Sequence, residues 1–309
     1  MNLSDLRIFT RAAHSPTLGA AAQELHLTPS AVSKAIRRLE DDLGKPLFDR
    51  GARQLALNGH GQLLLQRAQT LLALADQARS DLMGEQADVT CRVGGPAILL
   101  WRHGHALAQA LRPYPAASLH LHAMYEDEAL AALARGELDA AIVTDSVTAG
   151  RAAHWSEQWR TTALGSVTLQ LAAGPTHPLV TALPPASLLH ASTAQVLAHD
   201  FVCPSRSLFC GVLRGARSDG WRDDQLPRKI RYWADDLQLL LALVRGGEAL
   251  AYLPDFALAG EQLCRIHVTD CAYQCVEQVA LVWNGAGGGA WLRKLAASLA
   301  AAAGQQGQD

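Results

Sequence analysis

The feature that most constrains the fold is a pair of short helical segments near the start of the chain, separated by two residues. The first, "TLGAAAQEL", has Thr17 as a candidate N-cap, and its alanines allow another helix to approach closely. After His26 and Leu27, the second opens with Thr28, which can also cap, and with Pro29. Proline suits the first helical position because its missing N–H would have no partner there. Helices joined this tightly must cross at a large angle, which predicts a helix-turn-helix.

The second of these helices has two different faces. Val32, Ile36, Leu39 and Leu43 recur at helical spacing and predict a stripe that packs in a core. The other stripe is polar, and it predicts contact with the DNA major groove, where hydroxyls and cationic side chains meet phosphates and base edges. The DNA-binding residues predicted in this segment are Thr28, Pro29, Ser30, Ser33, Lys34 and Arg37. The alternative is a solvated face of an ordinary helix.

The charge of the whole chain does not indicate a nucleic-acid partner, since the formal net charge of its 309 residues is −2. Positive charge is in excess locally. Residues 28–53 contain six basic side chains (Lys34, Arg37, Arg38, Lys45, Arg50, Arg53) against four acidic ones (Glu40, Asp41, Asp42, Asp49). The turn-rich, alternating sequence after Gly44 predicts a small hairpin, or wing. Arg50 and Arg53 near its tip are predicted to contact phosphates or the minor groove.

A long helix is predicted to follow the wing, because no proline interrupts the sequence from His60 to about Gly84. Its length would be roughly 36 Å at the usual helical rise. A heptad seam runs along it, formed by Leu64, Ala68, Leu71, Ala75, Ala78 and Leu82. The seam predicts dimerisation, which a DNA-reading unit needs in order to bind two half-sites. The alternative is that this stripe packs on its own domain.

The rest of the chain alternates between strand-like and helix-like segments. Strands are predicted at 89–94, 118–124 and 139–144, with helices at about 97–112 and 126–135 between them. This order predicts a parallel sheet with helices on its faces. A second unit of the same kind is predicted between about 165 and 268, with strands at 166–174, 200–204, 229–233 and 248–254. The segment "VALVW" (279–283) and a final alanine-rich helix complete the chain.

Ligands of such sheets bind beyond the carboxyl ends of the strands. This rule selects 95–101, 144–146, 203–206 and 232–235, and these strand ends are mostly apolar. A small, partly hydrophobic effector held by few hydrogen bonds is therefore predicted. The predicted contacts are Pro96, Ala97, Ile98, Thr144, Ser146, Cys203, Ser205 and Trp233. Structural alternatives exist: Thr144 can cap a helix or face water, and Asp235 with Gln238 can form a capping box.

Together these stretches resemble LysR-type transcriptional regulators. The N-terminal signature of that family is matched by "LRIFTRAAHSPTLGAAAQELHLTPSAVSKAIRRLEDDLGKPLFDR" over residues 6–50. Its weaker C-terminal motifs are matched by "CRVGG" (91–95), "LARGELDAAIV" (133–143) and "LLALVRGGEALAYLP" (240–254), so the resemblance extends to about residue 300. Two segments depart from it. "LNGHG" stands where the family has Leu-Thr-x-x-Gly, and "GPAILLW" lacks the hydroxyl residues that members often carry there.

The resemblance implies an α/β protein with an N-terminal all-α winged helix-turn-helix (1–59), a linker and dimerisation helix (60–87) and a two-lobed, periplasmic-binding-protein-like effector domain. Lobe I would comprise 88–164 and 269–305, lobe II 165–268, and the tail 306–309. It also implies a dimer of dimers on double-stranded DNA that contacts RNA polymerase and responds to a small-molecule effector. A solute-binding protein or an enzyme is the alternative on the same two-lobed fold, and residues 1–60 argue against it.

The cysteines offer another alternative. None of the six forms a Cys-x-x-Cys pair, so free thiols in a reducing compartment are expected. Cys203 and Cys210 lie where the family's peroxide-sensing members keep a redox pair. Arg206 is the one charge between them that could lower a thiol pKa. Packed thiols are favoured over redox sensing, because the sensing members show a wider spacing and more polar neighbours.

Enzymatic, metal-binding and membrane functions receive no support from the sequence. The pairs His103–His105 and His120–His122 have the spacing of metal ligands but lack a clear third ligand. No Gly-x-Ser-x-Gly or dinucleotide-binding pattern occurs. No apolar run reaches the roughly 18–20 residues of a membrane span, and the N-terminus has no signal-peptide core. We therefore expect no cofactor, no metal, no membrane partner and a cytoplasmic location.

Overall fold

A computed structural model describes residues 1–49, 55–83, 89–145, 147, 155–156, 158–184, 186, 188–211, 219–258, 263–285 and 289–306. Within these residues, no helix combines the length and the apolar character needed to cross a membrane. The α/β fold class predicted from the sequence is confirmed, with a helical N-terminal unit followed by a two-lobed α/β region.

Residues 1–49 contain the helices α1 (Leu3–Ala13), α2 (Leu18–Glu24) and α3 (Pro29–Leu43). Both predicted caps are present: Thr17 accepts a hydrogen bond from the Ala20 N–H at 3.1 Å, and Thr28 from the Ala31 N–H at 3.2 Å. Each cap satisfies a backbone donor that would otherwise have no partner in the first helical turn. The local sequence therefore determines where α2 and α3 begin.

The core of the helix-turn-helix is formed by apolar residues of α1 and by the stripe predicted on α3, with one exception on α3. Leu6 and Phe9 of α1 pack with Val32 and Leu39 of α3, and all four are fully buried. Leu43, predicted to extend the stripe, is instead exposed. It is the last residue of α3, which ends at Gly44 in the left-handed conformation (φ 65°), so the chain turns away before Leu43 reaches the core.

The connection between α2 and α3 contains a backbone conformation that the sequence did not reveal. His26 has a φ of 53°, in the left-handed region that side chains other than glycine rarely adopt. The turn is closed by the Leu27 N–H, which donates to the Ala22 carbonyl at 2.8 Å. The chain reverses direction at this residue, and α3 is thereby set across the end of α2.

An ion pair between α1 and α3 fixes their crossing. The Asp5 carboxylate is buried, and the Arg38 guanidinium donates to both of its oxygens, at 3.0 Å from Nε and 2.5 Å from Nη2. This bidentate contact lowers the pKa of Asp5 below its usual value. Arg38 therefore joins two helices. Its charge is neutralised by Asp5, whereas the charge of Arg37 is not.

The wing is present at its base. Phe48 and Leu57 form an antiparallel bridge, and the Leu47 N–H donates to the Glu40 carboxylate at 2.7 Å. In the "LNGHG" departure, Asn58 accepts a hydrogen bond from the Gly61 N–H at 3.0 Å and caps the next helix. Asparagine is among the best N-caps, so the departure from threonine leaves this junction intact.

The long helix α4 (Gly59–Met83) divides its apolar residues between two faces. Ala68 and Leu72 are buried against the helix-turn-helix core, with Leu64 partly buried beside them. A neighbouring face exposes Leu63, Leu71, Leu74 and Leu82. The predicted seam thus mixed the two faces: Ala68 belongs to the intramolecular face, whereas Leu71 and Leu82 lie on the exposed one.

Lobe I begins with the predicted β-α-β-α-β order. Its elements are β1 (Thr90–Gly95), α5 (Ala97–Ala110), β2 (Ser118–Ala123), α6 (Glu126–Ala134) and β3 (Ala140–Thr144). β1 pairs in parallel with both β2 and β3. These bounds lie within two residues of the predicted ones. β3 is buried along its whole length and β1 along most of it, so both are recognisable as short apolar runs, whereas β2 is an exposed strand.

The chain then passes from lobe I into lobe II through β4 (Trp159–Ala173). The elements of lobe II are α7 (Pro178–Ala182), β5 (Leu189–Ala191), α8 (Thr193–Leu197), β6 (Asp200–Cys203), β7 (Lys229–Trp233), α9 (Leu237–Arg245), β8 (Ala251–Pro254), α10 (Asp255–Leu258) and β9 (Cys264–Val268). The chain then returns through β10 (Cys275–Asn284) and ends in α11 (Ala290–Gln306). The main sheet has the order β2-β1-β3-β10-β4-β9-β5, with β8 also paired to β4, while β6 and β7 pair with each other.

The strands β4 and β10 join the two lobes. They pair antiparallel from Trp159 opposite Asn284 to Leu169 opposite Cys275. Beyond Leu169, β4 continues into lobe II and pairs with β8 and β9. The predicted strand at 166–174 is therefore too short at its start. The polar, glycine-containing sequence before residue 166 hid the part of β4 that belongs to lobe I.

The stability of lobe II is expected to depend on pH through His177. Its ring is buried, lies 4.9 Å from that of His199, and accepts a hydrogen bond from the Leu179 N–H at Nδ1. Burial, with a smaller effect of His199, lowers the pKa of His177 from 6.5 to about 4. Between pH 6.5 and 4, His177 therefore binds a proton more readily in the unfolded chain than in the folded one. The free energy of unfolding falls as the pH drops from 6.5 towards 4.

The substitution His177→Asn should weaken this dependence by up to one proton, because asparagine retains the acceptor but does not titrate. Urea unfolding at both ends of that pH window measures the change. His190→Asn makes the same chemical change at an exposed position and is the control for the substitution itself. An equal slope in His177→Asn and the unmodified protein would contradict the assignment.

Candidate functional site

The exposed stripe of α3 is the first candidate site. Ser30, Ser33, Lys34 and Arg37 are all exposed on this helix. Within the described part of the chain, Lys34 and Arg37 make no ion pair or hydrogen bond through their side chains, whereas Arg38 is engaged with Asp5. The stripe therefore presents two uncommitted cations beside hydroxyls at the N-terminal half of a helix, where the helix dipole also favours anions.

Two of the acidic residues that follow on the chain, Glu40 and Asp42, are engaged away from this stripe, whereas Asp41 is exposed near Arg37. Glu40 accepts the Leu47 N–H in the wing, and Asp42 pairs with the N-terminal ammonium of Met1 at 2.5 Å. Thr28 uses its hydroxyl to cap α3 and lies 3.0 Å from the Ser30 hydroxyl. The structure thus brings together Thr28, Pro29, Ser30, Ser33, Lys34 and Arg37 on one end and face of α3. Arg50 and Arg53 lie outside the described residues.

The second candidate site is a cleft between the lobes, with a volume of about 500 Å³. It lies beyond the carboxyl ends of β1, β2, β6 and β7, where ligands of such sheets bind. Its lobe I wall is formed by Pro96, Ala97, Ile98, Trp101, Ala123, Met124, Tyr125 and Glu128. Its lobe II wall is formed by Arg206, Ser207, Leu208, Asp235, Asp236, Leu237 and Gln238. This volume suits a small organic molecule.

The carboxylates of this cleft are committed to its own backbone. Glu128 accepts the Tyr125 N–H at 3.2 Å, Asp235 the Ser205 N–H at 2.6 Å, and Asp236 the Gln238 N–H at 2.9 Å. The hydrogen bonds from Ser205 also lower the pKa of Asp235. These acids position the loops that form the walls. The predicted capping box of Asp235 with Gln238 is wrong, because Asp236 caps α9 by accepting the Gln238 and Leu239 N–H groups.

Arg206 is the cation among the described residues that line the cleft. Its side chain is exposed, and Nη1 donates to the Gly211 carbonyl at 3.2 Å, which leaves other guanidinium donors for a ligand. Ser205 uses its hydroxyl on Asp235, at 2.7 and 2.6 Å from the two carboxylate oxygens. Ser205 thus holds the loop that carries Arg206 and is not among the lining residues.

The predicted effector contacts divide into separate environments. Pro96, Ala97 and Ile98 line the cleft. Thr144 is buried, and its N–H donates to the Glu126 carboxylate at 2.6 Å, so it faces the interior of lobe I. Trp233 is about half exposed and lies outside the described lining. Ser146 lies outside the described residues.

Cys203 belongs to a buried polar network. Its thiol donates to the Asp219 carboxylate at 2.9 Å, and Arg228 Nη2 lies 3.4 Å from the sulfur. Arg228 also donates to Asp219 at 2.7 Å and to Asp223 at 2.8 Å. The side chain of Cys203 is fully buried, so it is neither part of the cleft lining nor accessible to solvent.

Sequence reasoning did not name several lining residues as contacts, among them Tyr125 and Leu237, and it included Trp101 only as the end of the range 95–101. Each lies just after a strand end, within or next to the first turn of the following helix. A rule that selects only the strand ends omits the residues that follow them. The helices α5, α6 and α9 begin at the cleft, so residues of their first turns also line it. Arg206 ended the predicted range 203–206 but was not named as an effector contact, and its charge was considered only for its effect on a thiol.

The histidine pairs do not form a metal site. The rings of His120 and His122 stack on the exposed face of β2 with their centroids 6.4 Å apart. Across the residues that the structure describes, no group of three or more His, Cys, Asp or Glu side chains is arranged to hold a metal ion. His103 is buried in α5 and is separated by that burial from His105, which is exposed.

Comparison with known proteins places both candidate sites in a family context. The chain is 54% identical over 67 residues to the uncharacterised HTH-type transcriptional regulator y4mQ of Sinorhizobium fredii, which covers 22% of each chain. The alignment therefore spans only about a fifth of the length of that relative.

Solved structures match the chain over nearly its full length. A variant of full-length OxyR from Pseudomonas aeruginosa matches with a TM-score of 0.66 at 19% identity, covering 97% of this chain and 98% of the other. CbnR complexed with its target DNA matches with a TM-score of 0.55 at 18% identity, covering 97% and 99%. At these identities the match concerns the fold.

Two family profiles divide the chain between them. The profile described as bacterial regulatory helix-turn-helix protein, lysR family, matches residues 3–62 and so contains the exposed stripe of α3. The profile of the LysR substrate binding domain matches residues 85–303 and contains the interlobe cleft. Because these matches cover most of the chain and agree with its fold, the protein belongs to the LysR family of bacterial helix-turn-helix regulators.

Proposed function

We propose that this protein is a DNA-binding transcriptional regulator that responds to a small-molecule effector held between its two lobes. One observation carries the proposal: Lys34 and Arg37 lie uncommitted on the exposed stripe of a helix-turn-helix, while Arg38 beside them is used internally. In helix-turn-helix proteins this helix enters the major groove. CbnR, whose fold is similar, has been solved with its target DNA. We propose a regulator and not an enzyme, acting in the cytoplasm.

The DNA contacts are proposed to come from Thr28, Pro29, Ser30, Ser33, Lys34 and Arg37, with Arg50 and Arg53 of the wing. The proposed divisions are 1–59 for DNA binding, 60–87 for the linker helix, 88–164 with 269–305 for lobe I, 165–268 for lobe II and 306–309 for the tail. Support for the first division comes from the N-terminal core, which packs α1 to α3 into one cluster with the start of α4.

A dimer through α4 is proposed from its exposed face, which carries Leu63, Leu71, Leu74 and Leu82. Exposure of a row of large apolar side chains to water is unfavourable, and their burial against another surface lowers the free energy. A second copy of α4 would bury them and would place two recognition helices on two half-sites. Association of such dimers in pairs, and contact with RNA polymerase, are expected by analogy with the family.

The cleft is proposed to bind an effector with an apolar or aromatic body and one anionic group. Ile98, Trp101, Met124 and Leu237 supply apolar surface, and Arg206 supplies the cation. The carboxylates of the cleft already accept hydrogen bonds from backbone N–H groups. Arg206 still has guanidinium donors that can bind an anionic group of the ligand. Such a ligand contacts both lobes at once.

Regulation is proposed to act through the angle between the lobes. A ligand that binds one lobe arrangement better than another shifts the population towards it. The connection runs through β4 and β10, where Gly165 has a φ of 94° and the pairing register shifts between Gln278 and Ala280. A break in register beside a glycine is a place where paired strands can bend. A change of lobe angle would alter the spacing of the DNA-binding units.

The alternatives have less support. Redox sensing would need an accessible thiolate, but Cys203 is fully buried and its thiol donates a hydrogen bond to Asp219. A solute-binding protein or enzyme would have no use for the helix-turn-helix and its cationic stripe. A gel shift with DNA from beside the gene for this protein tests the proposal directly. Absence of any sequence-preferring complex would contradict it.

The substitution Arg37→Ala should weaken specific DNA binding by about 1–3 kcal/mol and leave the free energy of unfolding nearly unchanged, because its guanidinium has no partner in the described fold. Arg38→Ala is the matched control, with the same chemical change one residue away. It should lower the stability, because it leaves the buried Asp5 carboxylate unpaired. Fluorescence anisotropy on operator DNA and urea unfolding measure the two effects. The proposal fails if Arg37→Ala retains full affinity.

The substitution Leu71→Glu should dissociate the dimer, because it places a carboxylate opposite its own copy in an apolar interface. Gln62→Glu adds the same charge at an exposed position on another side of α4 and should leave the dimer intact. Sedimentation velocity gives the oligomeric state of each variant. If Leu71→Glu sediments like the unmodified protein, the exposed face of α4 is not the dimer interface.

The substitution Arg206→Ala should abolish the effector response and keep basal DNA binding, because the cleft is remote from α3. Loss of a charge-assisted hydrogen bond should cost about 1.5–3 kcal/mol of effector affinity. Arg112→Ala, an exposed arginine outside the cleft lining, is the control. Reporter transcription from the promoter next to the gene measures the response. Loss of regulation in Cys203→Ser and Cys210→Ser alone would favour redox sensing instead.

A further inference from the structure

A second cavity lies beside the strands that join the lobes. This cavity, the hinge pocket, has a volume of about 400 Å³. Lobe I supplies most of its lining, from α5, β4 and α11, and lobe II supplies Phe256 of α10. The lining residues are Trp101, Arg102, His103, Ala106, Leu164, Phe256, Leu299, Ala302 and Ala303. Leu164 precedes Gly165, so the pocket lies next to the bend of β4.

The polar groups of the hinge pocket are nitrogen atoms without hydrogen-bond partners. His103 is 7% exposed, and its Nε2 is buried with no hydrogen bond within the described structure. Arg102 Nη1 is likewise buried without a hydrogen bond, although it lies 3.5 Å from the Asp255 carboxylate. A buried polar atom without a partner costs free energy, and few are retained in folded proteins. Two of them at one cavity point to a ligand group.

The chemistry of these nitrogen atoms defines the ligand. Burial, assisted by the charge of Arg102, lowers the pKa of His103 to about 4, so its imidazole is neutral at neutral pH and carries one N–H. The guanidinium of Arg102 carries donors and no acceptor. No carboxylate is among the described lining residues, and Asp255 is reached only through Arg102. A ligand with an oxyanion can accept from both side chains.

The remaining surface is apolar and partly aromatic. Phe256 contacts Trp101 edge to face at 5.5 Å, and the Arg102 guanidinium lies 5.0 Å from the centre of the Phe256 ring. Leu164, Leu299 and the alanines of α11 form the opposite wall. Stacking against Phe256 holds the Arg102 guanidinium in place, so little side-chain entropy would be lost when a ligand binds.

From this geometry we propose that the hinge pocket is a second ligand site, separate from the interlobe cleft, for a small carboxylate with an apolar or aromatic body. The carboxylate accepts hydrogen bonds from Arg102 and His103, and the apolar body lies between Phe256 and α11. The site is distinct from the proposed effector site in its polar groups, since Arg206 does not line it. Trp101 lines both cavities and separates them.

The test is isothermal titration of the full-length protein with phenylacetate and with its neutral isostere phenylacetamide. Phenylacetate should bind saturably, and phenylacetamide at least about tenfold more weakly, because it lacks the charge that Arg102 recognises. His103→Phe retains the packing and removes the ring N–H, and it should weaken phenylacetate by a similar factor. Equal affinity for the two compounds, or no saturable binding of phenylacetate, would overturn the proposal.

Two further variants locate the bound carboxylate. Ala303→Phe fills the hinge pocket without changing a polar group and should abolish binding, whereas Ala301→Phe, exposed on the same helix and outside the lining, should retain it. Arg206→Ala removes the cation of the cleft and should also retain binding. If Arg206→Ala abolishes phenylacetate binding and Ala303→Phe preserves it, the compound occupies the cleft and the hinge pocket is not a ligand site.

Discussion

The pairing of β4 with β10 is the interaction on which the arrangement of the lobes depends. The two strands are hydrogen-bonded from Trp159 opposite Asn284 to Leu169 opposite Cys275, and each also pairs with other strands. A long antiparallel ladder resists sliding, because any slip would turn apolar side chains away from the core. It resists bending less where Gly165 and the register shift at Gln278 interrupt it. The ladder thus holds the lobes in register, and the interruption at Gly165 and Gln278 is where we propose that it bends.

The interlobe cleft and the hinge pocket each have walls from both lobes. The interlobe cleft receives the first turns of α5, α6 and α9, which come from different lobes. The hinge pocket has walls from α5 and α11 on one side and from Phe256 on the other. An occupant of either cavity contacts surfaces that move relative to each other when the ladder bends. Differential contact of this kind is the physical requirement for a ligand to shift a conformational equilibrium.

Some charged residues of this protein stabilise the fold through ion pairs and hydrogen bonds, and others remain available to bind a ligand or DNA. Arg38 fixes α1 to α3 through Asp5, and Asp235 fixes the loop that carries Arg206 through Ser205. Arg228 is buried with Asp219 and Asp223 around the Cys203 thiol. Lys34 and Arg37 have no such role within the described residues. A basic side chain next to another in sequence can therefore have an entirely different function in the folded chain.

The sequence by itself determined the features that depend on near neighbours. Thr17 and Thr28 cap their helices because a cap needs only the next three residues, and the strands of lobe I were located because apolar runs between helices are local signals. The resemblance to LysR-type regulators identified the order of domains in the same way. These predictions needed no knowledge of what packs against what.

Only the tertiary structure decided which side chains are engaged and which are free. Arg38 meets Asp5 across 33 residues of sequence, and Ser205 meets Asp235 across 30. Thr144 and Cys203 end their strands as the ligand rule expects, yet burial turns both away from the cleft. The faces of α4 likewise separate only when the helix-turn-helix covers one of them. Each of these outcomes depends on contacts between segments distant in sequence, and local propensity carries no information about those.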